Sequence, residues 1–351
     1  MKEYTRNCIK NLEAYTVVNP TYDVILNANE NPWDCPSEIK ETLCQRIMET
    51  PLNRYPEATF PQLLKQLSEY TGFQTNQIIC GSGSDEIIAM LNQTFIDKDD
   101  VVVGISPSFA MYAVWTQIAD ARFIAIDDGP SHRPNISEII ATIQKVNAKM
   151  VYLCNPNNPT GYFYSESDIV RLVEETQALI ILDEAYIEFA SHSSIHLVNT
   201  YNNLIVLRTF SKAFSLAGIR CGYAVGNKEL IKAMYKVKSP YNLNVLTQLA
   251  AEIAMENRSL FLDHIAVLKA ERDRIYAVLK TLKIDALFPS EANFIYFETN
   301  KASELYTQMK ENNILIKYFP NQEKCPGSIR LGIGKPEEND KVLVILKEVL
   351  K

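Results

Sequence analysis

The chain has 351 residues, 47% of them hydrophobic and 22% charged, and its formal net charge is −7. This length allows two domains with substantial cores, and the composition is typical of soluble α/β proteins. The negative net charge disfavours nucleic acid as a partner. The chain has no N-terminal apolar segment and no apolar run near the ~20 residues that span a bilayer. We therefore predict a cytoplasmic protein without membrane contact.

The N-terminal segment, residues 1–40, is interrupted by Pro and Asn, as at Asn19-Pro20, Glu30–Pro32 and Cys35-Pro36. A segment so often broken is not expected to form a domain by itself. We therefore predict an arm that packs against the C-terminal part of the chain.

Residues 41–240 are predicted to form a large α/β domain, because short β-branched runs alternate there with amphipathic stretches. This alternation is typical of a doubly wound, mostly parallel sheet flanked by helices. Seven strands are predicted, at Gln77–Cys80, Val101–Ile105, Arg122–Ile126, Met150–Cys154, Leu179–Leu182, Leu204–Leu207 and Cys221–Val225. Helices are predicted between them at Asp85–Phe95, Phe109–Ala119, Ile136–Val146 and Ser165–Thr176.

The pattern changes in residues 241–351, for which a smaller α+β domain is predicted. One long helical region is expected over Val245–Leu282. Three strands and a closing helix follow in the prediction, at Phe294–Glu298, Ile314–Lys317, Ile329–Ile333 and Glu337–Leu350.

A lysine follows one of the predicted strands, at the edge where open α/β sheets bind ligands. Lys212 lies in the segment Thr209–Phe214, just beyond the strand Leu204–Leu207, and Arg220 comes eight residues later. A lysine held among apolar neighbours loses its proton more readily and can act as a nucleophile toward an aldehyde. Taken alone, a lysine in such a place is more often a solvated surface residue.

Two further segments offer groups for a pyridine ring. Asp183 follows the apolar run Ala178–Leu182, and Tyr186 comes three residues later. A carboxylate there can keep a pyridine nitrogen protonated, and a phenol can hydrogen-bond to a ring hydroxyl, although an Asp before a helix is also a common N-cap. The rigid turn Asn155–Gly161 follows another strand, and its Asn158 can donate to the same ring oxygen.

The last two segments suit a phosphate and a flat ring. Gly81–Glu86 leads into a helix whose first N–H groups can bind an anion, although helix capping explains the same residues and the third glycine of a dinucleotide fingerprint is missing. Phe109 follows the strand Val101–Ile105 and can stack on a heterocycle. A ring at that position, like Tyr112 after it, is more often part of a core.

Together and in this chain order, the five segments resemble those of the class II group of fold-type I pyridoxal-phosphate (PLP) enzymes. Within that group the sequence resembles the histidinol-phosphate aminotransferase family over nearly the whole chain. The resemblance implies an aspartate-aminotransferase-like fold, with a large PLP-binding domain and a smaller α+β domain. Further segments that carry it are Leu26–Pro32, Arg54–Pro56, Ser211–Gly222 and Ser328–Gly334.

The resemblance implies PLP as the cofactor and assigns a role to each matching residue. Lys212 would bond covalently to the cofactor and move a proton between the substrate Cα and C4′, while Asp183 would pair with the pyridine nitrogen. Tyr186, the third residue assigned to catalysis, would hydrogen-bond to the ring oxygen. Other cofactor contacts would come from Asn158, Phe109, Ser84, Asp85, Ser211, Arg220 and, from the other subunit of a homodimer, Tyr55. Substrate contacts would come from Arg330, Lys317, Tyr15 and Asn29.

The implied reaction is transamination of L-histidinol phosphate with 2-oxoglutarate, which gives imidazole-acetol phosphate and glutamate in histidine biosynthesis. Arg330 would bind the phosphate of one substrate and a carboxylate of the other. Two departures from the family lie near the substrate: Phe109 replaces a frequent Tyr, and Lys317 replaces a frequent Arg, which loses the bidentate fork. An aromatic amino-acid aminotransferase, a threonine-phosphate decarboxylase and a non-catalytic ligand-binding module are the alternatives.

No metal site is predicted. The seven cysteines are odd in number and never form a Cys-x-x-Cys pair, which also argues against a disulfide framework. His192 and His196 have i, i+4 spacing but lack a His-Glu-x-x-His context, and His132 and His264 are isolated. All four histidines are predicted to be structural.

Overall fold

The computed structural model describes residues 4–10, 12–14, 21–320 and 327–351. The strands in these ranges are β1 (Val24–Ile25), β2 (Ile78–Gly81), β3 (Val101–Ser106), β4 (Arg122–Asp127), β5 (Met150–Cys154), β6 (Leu179–Asp183), β7 (Leu204–Thr209), β8 (Gly222–Gly226), β9 (Ala286–Leu287), β10 (Phe294–Glu298), β11 (Ile314–Leu315), β12 (Lys317–Phe319) and β13 (Ser328–Gly332). The α-helices are α1 (Ser37–Glu49), α2 (Pro61–Thr71), α3 (Gly83–Phe95), α4 (Met111–Ile118), α5 (Ile136–Val146), α6 (Glu166–Glu175), α7 (Lys228–Met234), α8 (Val245–Glu256), α9 (Leu262–Leu279), α10 (Ala302–Glu311) and α11 (Pro336–Val349).

A seven-stranded sheet in the order β2-β8-β7-β6-β5-β3-β4 forms the centre of the larger part of the molecule. Within it β8 runs antiparallel to both of its neighbours, and the other pairs are parallel. The predicted mostly parallel sheet is therefore confirmed, and each predicted strand lies within two residues of the observed one. Continuous β-branched runs form these strands because both faces of the sheet are covered by helices.

Successive strand residues point to opposite cores, which gives the large part three layers. Ile79 packs in one core with side chains of α3, α4 and α7, such as Ile87 and Ile231. Cys80, the next residue, packs in the other core with side chains of α2, α5 and α6, such as Leu63 and Ile139. The sheet is thus enclosed, and its ligand-binding edge is at the carboxyl ends of the parallel strands.

A smaller part contains a four-stranded antiparallel sheet in the order β12-β13-β10-β9. The predicted strand Ile314–Lys317 is wrong as one unit, because β11 pairs with β1 whereas β12 pairs with β13. The predicted helix Val245–Leu282 is also interrupted after Glu256. Asn257 ends α8 there, because its backbone leaves the helical conformation, with φ of −115° and ψ of 28°, and its side-chain amide donates to the Ile253 carbonyl at 2.9 Å.

The N-terminal segment contacts this smaller part. β1 pairs in parallel with β11, and the Gly332 N–H donates to the Leu26 carbonyl at 3.1 Å. A Cβ at Gly332 would lie 2.6 Å from that carbonyl oxygen, so the close approach requires glycine. The predicted boundary at residue 40 falls inside α1, and the division into residues 1–40, 41–240 and 241–351 stays a prediction.

Among the described residues, no helix is long and apolar enough to cross a membrane. The longest helix there, α9, has 18 residues and includes two Asp, one Glu, one Lys and two Arg. Such charges are costly in a bilayer core.

Candidate active site

A cavity of about 350 Å³ lies at the carboxyl ends of the parallel strands. Parallel strands end at the same edge of a sheet, so turns far apart in the sequence meet there. The structure thereby brings together nine of the ten residues predicted to bind the cofactor: Ser84, Asp85, Phe109, Asn158, Asp183, Tyr186, Ser211, Lys212 and Arg220.

Lys212 lies in this cavity, where the pKa of its amine is lowered. Its Nζ donates to the Ala28 carbonyl at 2.8 Å and lies 5.8 Å from the centre of the Tyr186 ring. Burial, followed by the positive charge of Arg330, lowers the pKa of Lys212 from 10.5 to about 8. About one amine in ten is then neutral at pH 7, far more than in an ordinary lysine, so Lys212 is suited to nucleophilic attack.

Asp183 is buried at the end of β6, with 3% of its surface exposed. Its Oδ2 accepts a hydrogen bond from the Tyr112 hydroxyl at 2.6 Å, and its Oδ1 accepts one from the Ala185 N–H at 3.1 Å. Burial nevertheless raises the pKa of Asp183 to about 6. A buried carboxylate of this kind is stabilised by a cation, as a protonated ring nitrogen would be.

The contact between Tyr112 and Asp183 was missed by the sequence analysis, which left Tyr112 as a core residue. The Tyr112 ring stacks on Tyr152, with 4.5 Å between ring centres, and the Tyr152 hydroxyl accepts from Asn92 Nδ2 at 2.9 Å. Tyr112 comes three residues after Phe109, in the first turn of α4. That spacing, directly after a strand, was the available signal that both rings face the same sheet edge.

An anion site lies at the start of α3. Arg220 Nη2 pairs with Asp85 Oδ2 at 3.2 Å, and Arg220 Nη1 donates to the Ala217 carbonyl at 3.2 Å. A Cβ at Gly83 would lie 2.4 Å from Arg220 Nη2, and one at Gly222 would lie 2.5 Å from the Ser84 nitrogen. Gly83 therefore lets a guanidinium approach the helix N-terminus, and Gly222 lets the backbone of β8 approach it, an arrangement that suits a phosphate.

Polar groups that could hydrogen-bond to the oxygen of a pyridine ring lie near Tyr186. The Tyr186 hydroxyl accepts from Asn29 Nδ2 at 3.1 Å, and Asn29 is buried. Asn158 Oδ1 accepts a hydrogen bond from Arg330 Nη1. Asn29, predicted to bind substrate, is thus in contact with a residue predicted to bind the cofactor.

Arg330, which is predicted to bind substrate, is in contact with Asn158 of this group. Only 8% of its surface is exposed, and its guanidinium lies 5.5 Å from the centre of the Phe294 ring. Its Nη2 donates to the Asn27 carbonyl. Lys317 is the register partner of Arg330 on the neighbouring strand, and burial together with the charge of Arg330 lowers the pKa of Lys317.

Four predicted residues that the structure describes, namely Tyr55, Lys317, Arg330 and Asn29, do not line the cavity. Tyr55 is 81% exposed and stacks on Tyr241, with 4.4 Å between ring centres. Tyr15 lies outside the described residues.

Several residues that line the cavity were not predicted as site residues. Ala28 and Glu30 belong to the segment Leu26–Pro32, which carried part of the resemblance. Glu30 counteracts the lowering of the Lys212 pKa. Thr209 also lines the cavity, and its hydroxyl donates to Ser211 Oγ at 2.9 Å, which orients one of the predicted phosphate ligands.

No metal centre is found in the part of the chain that the structure describes, where no group of three or more His, Cys, Asp or Glu is placed to bind an ion. His196 lies 3.4 Å from Glu166 at the surface. His192 Nδ1 lies 3.1 Å from Ser191 Oγ. The two histidines with helical spacing are thus explained by local polar contacts.

The cavity fits PLP. A buried carboxylate, Asp183, is available for the ring nitrogen, and the glycine-lined start of α3 with Arg220 is available for the phosphate. Tyr186 and Asn158 offer groups for the ring oxygen, and Lys212 offers the amine. The fold and this cavity together define a PLP-dependent enzyme with an aspartate-aminotransferase-like fold.

Comparisons with known proteins agree with this class. Residues 22–346 match the family model described as aminotransferase class I and II. The chain is 35% identical over 347 residues to a histidinol-phosphate aminotransferase from Caldanaerobacter subterraneus subsp. tengcongensis, with 98% of each chain covered. It is 36% identical over 350 residues to one from Thermoanaerobacter sp. (strain X514), covering 100% of this chain and 99% of that one.

Among solved structures, a histidinol-phosphate aminotransferase from Sinorhizobium meliloti in complex with pyridoxal-5′-phosphate superposes with a TM-score of 0.89. The alignment covers 99% of this chain and 98% of that one at 22% identity, which supports the fold. The chain belongs to the family of class I and II aminotransferases.

Proposed function

We propose that this aminotransferase transfers the amino group of L-histidinol phosphate to 2-oxoglutarate, as a homodimer in the cytoplasm. The observation that carries the proposal is the presence of two separate cationic groups around one amine. Arg220 lies at the start of α3, whereas Arg330 belongs to the four-stranded sheet, and the charges of both lower the pKa of Lys212. Two anions, one on the cofactor and one on the substrate, would match these two groups.

The residues divide the chemistry between them. PLP, when bound, supplies an aldehyde that takes up the amino group and a ring that accepts electrons. Lys212, with a pKa of about 8, can accept a proton from the substrate Cα and return it near neutral pH. Asp183 would hold a proton on the ring nitrogen, because a positive partner offsets the burial that raises the pKa of this carboxylate.

A phosphorylated donor is favoured over an aromatic amino acid by the pair Arg330 and Lys317. These two side chains are opposed in register, and each carries a positive charge within the influence of the other. Two neighbouring cations repel each other, and a phosphate dianion bound near both offsets this repulsion better than a single carboxylate does. An aromatic side chain has no charge with which to offset this repulsion.

A donor panel with 2-oxoglutarate tests the assignment. We expect kcat/KM to be highest with histidinol phosphate, below it with phenylalanine and tyrosine, and one glutamate to form for each donor consumed. Replacing Arg330 with Lys should lower kcat/KM for histidinol phosphate about 100-fold, because the planar fork to the phosphate is lost. The measurement is the initial rate of glutamate formation.

The matched control is Arg171→Lys, which alters an exposed arginine paired with Glu175 on α6 and should leave the rates unchanged. A higher kcat/KM with phenylalanine or tyrosine would favour the aromatic aminotransferase. Release of carbon dioxide without glutamate would contradict transamination and favour a threonine-phosphate decarboxylase.

The proposed homodimer is supported by exposed apolar side chains that are close to Tyr55 in the sequence or stack on it. Met48 and Leu52 are 86% and 63% exposed, and Tyr241, the stacking partner of Tyr55, is 46% exposed. Clustered exposed apolar side chains mark an interaction surface. A partner subunit that covered this surface would let Tyr55 reach the cofactor phosphate of the other site.

A complementation experiment tests the shared site. Tyr55→Ala alone should lower activity about tenfold, the effect of losing one hydrogen bond to a charged group. Adding an excess of inactive Lys212→Ala chains, followed by subunit exchange, should restore the activity per Tyr55→Ala chain, because each mixed dimer contains one site with both wild-type residues. Elution as a monomer, or no gain on mixing, would reject the proposal.

A further inference from the structure

A buried histidine connects the two sheets. His132 lies on the loop after β4, at the edge of the seven-stranded sheet, and only 4% of its surface is exposed. Its Nδ1 lies 2.9 and 3.0 Å from the two carboxylate oxygens of Asp128 on the same loop. Its Nε2 lies 3.3 Å from Glu298 Oε1 at the end of β10, in the four-stranded sheet. One imidazole thus bridges the two parts of the molecule.

The same ring packs on the sheet face that carries the proposed substrate cation. The His132 ring lies 4.8 Å from Phe288 and 5.2 Å from Tyr296, both edge to face. Tyr296 is the register partner of Arg330, and Glu298 lies two residues further along β10. Directly opposed residues, and residues two apart on one strand, share a face, so His132 contacts the Arg330 face.

The protonation state decides how many of these contacts are hydrogen bonds. An imidazolium donates from both ring nitrogens, whereas a neutral imidazole donates from only one. Burial lowers the pKa of His132, but hydrogen bonds and charges from Asp128 and Glu298 outweigh burial and raise it above the usual 6.5. The titratable groups that act on this cluster are Asp128, Glu298, the neighbouring Asp127, and the phenols of Tyr296 and Tyr164.

We propose that His132, as an imidazolium, is a positioning residue for the substrate. Its contacts with Asp128 and Glu298 form a clamp, which holds the face of the four-stranded sheet that carries Arg330 against the seven-stranded sheet. The clamp thereby fixes the separation between Arg330 and Lys212. The inference rests on the proposed function in one respect, namely that Arg330 binds the acid group of a substrate.

The expected pH dependence follows from the sign of the shift. Because the pKa of His132 is raised in the folded protein, the clamp is complete below the unfolded value of about 6.5 and is lost as the pH rises through the raised value. KM for an anionic substrate should rise with that loss, while kcat should change little.

Steady-state kinetics of the holoenzyme test this role. In His132→Gln, KM for histidinol phosphate and for 2-oxoglutarate should rise about tenfold at about pH 6, with kcat within about twofold of wild type. The ratio of variant KM to wild-type KM should approach one above the pKa of His132, where the wild-type ring is also neutral. Glu298→Gln, which removes one side of the clamp and keeps its shape, should give a smaller rise. His196→Gln, at an exposed histidine that pairs with Glu166, is the matched control and should change neither constant.

Hydrogen exchange gives a readout that does not depend on turnover. Backbone amides of residues 128–132 and 294–298 should exchange faster in His132→Gln than in wild type. Unchanged exchange in both His132→Gln and Glu298→Gln would overturn the clamp. Faster exchange with an unchanged KM for 2-oxoglutarate would overturn the positioning role. If wild type failed to use histidinol phosphate, the proposed donor would be wrong, but the 2-oxoglutarate ratio would still decide the role of His132.

Discussion

Replacing Lys212 with Ala is expected to abolish transamination, with kcat falling by at least about 10⁵-fold. Lys212 is both the nucleophile and the group that moves the proton at the substrate Cα in the proposed mechanism, so one change removes two functions. Its amine is prepared for both, because burial and Arg330 lower its pKa to about 8. The measurements are the initial rate of glutamate formation and, after borohydride reduction with PLP, the mass of the labelled peptide. Wild type should carry the label on Lys212.

One companion variant separates the amine from its charge, and a second serves as the control. Lys212→Arg keeps a cation in the cavity but not a nucleophile, and should be as inactive as the alanine variant. Lys149→Ala alters a lysine whose Nζ pairs with Asp100 at 2.6 Å, outside the cavity, and should retain full activity. Label on another lysine, or turnover by Lys212→Ala within about tenfold of wild type, is inconsistent with the assignment.

The sequence predicted the sheet and the cavity well for a physical reason. The strands are continuous apolar runs between turns, and this pattern can be recognised in the local sequence without knowledge of any long-range contact. Once those runs are assigned to parallel strands, the turns that follow them must meet at one edge. Asp183, Asn158 and Lys212 could therefore be assigned to one site although they are spread along the chain.

Side-chain partners could not be predicted in the same way. His132 appeared isolated in the sequence, yet it lies 3.3 Å from Glu298, which is 166 residues away. Tyr112 contacts Asp183 across 71 residues, and no local pattern encodes either pair. The break in the predicted helix Val245–Leu282 was missed because it depends on the backbone conformation of a single residue, Asn257, whose side chain caps the Ile253 carbonyl.

Asp183→Asn is the second variant with a large expected effect. It keeps the shape of the side chain and removes the charge that stabilises a protonated ring nitrogen. Removing one member of a buried charged pair costs about 3–5 kcal/mol, so kcat should fall about 10³-fold, measured as the initial rate of glutamate formation at saturating PLP. Asp100→Asn, at an aspartate that pairs with Lys149 away from the cavity, should have no such effect. A kcat within about threefold of wild type would remove Asp183 from the mechanism.

The pH dependence of cofactor binding separates the effect of the Asp183 charge from the effect of having a side chain of that shape. Its pKa is raised to about 6 by burial, so the carboxylate is present above that pH and is lost as the pH falls below it. The affinity of the cofactor-free protein for PLP, measured by spectroscopic titration, should then fall about tenfold for each pH unit below about 6. Any change in affinity that Asp183→Asn also shows comes from other groups and is subtracted. The hydrogen bond from Tyr112 lowers the pKa of Asp183, so Tyr112→Phe should move this midpoint to higher pH. A midpoint that stayed in place in Tyr112→Phe, or that persisted in Asp183→Asn, would assign the titration to another group.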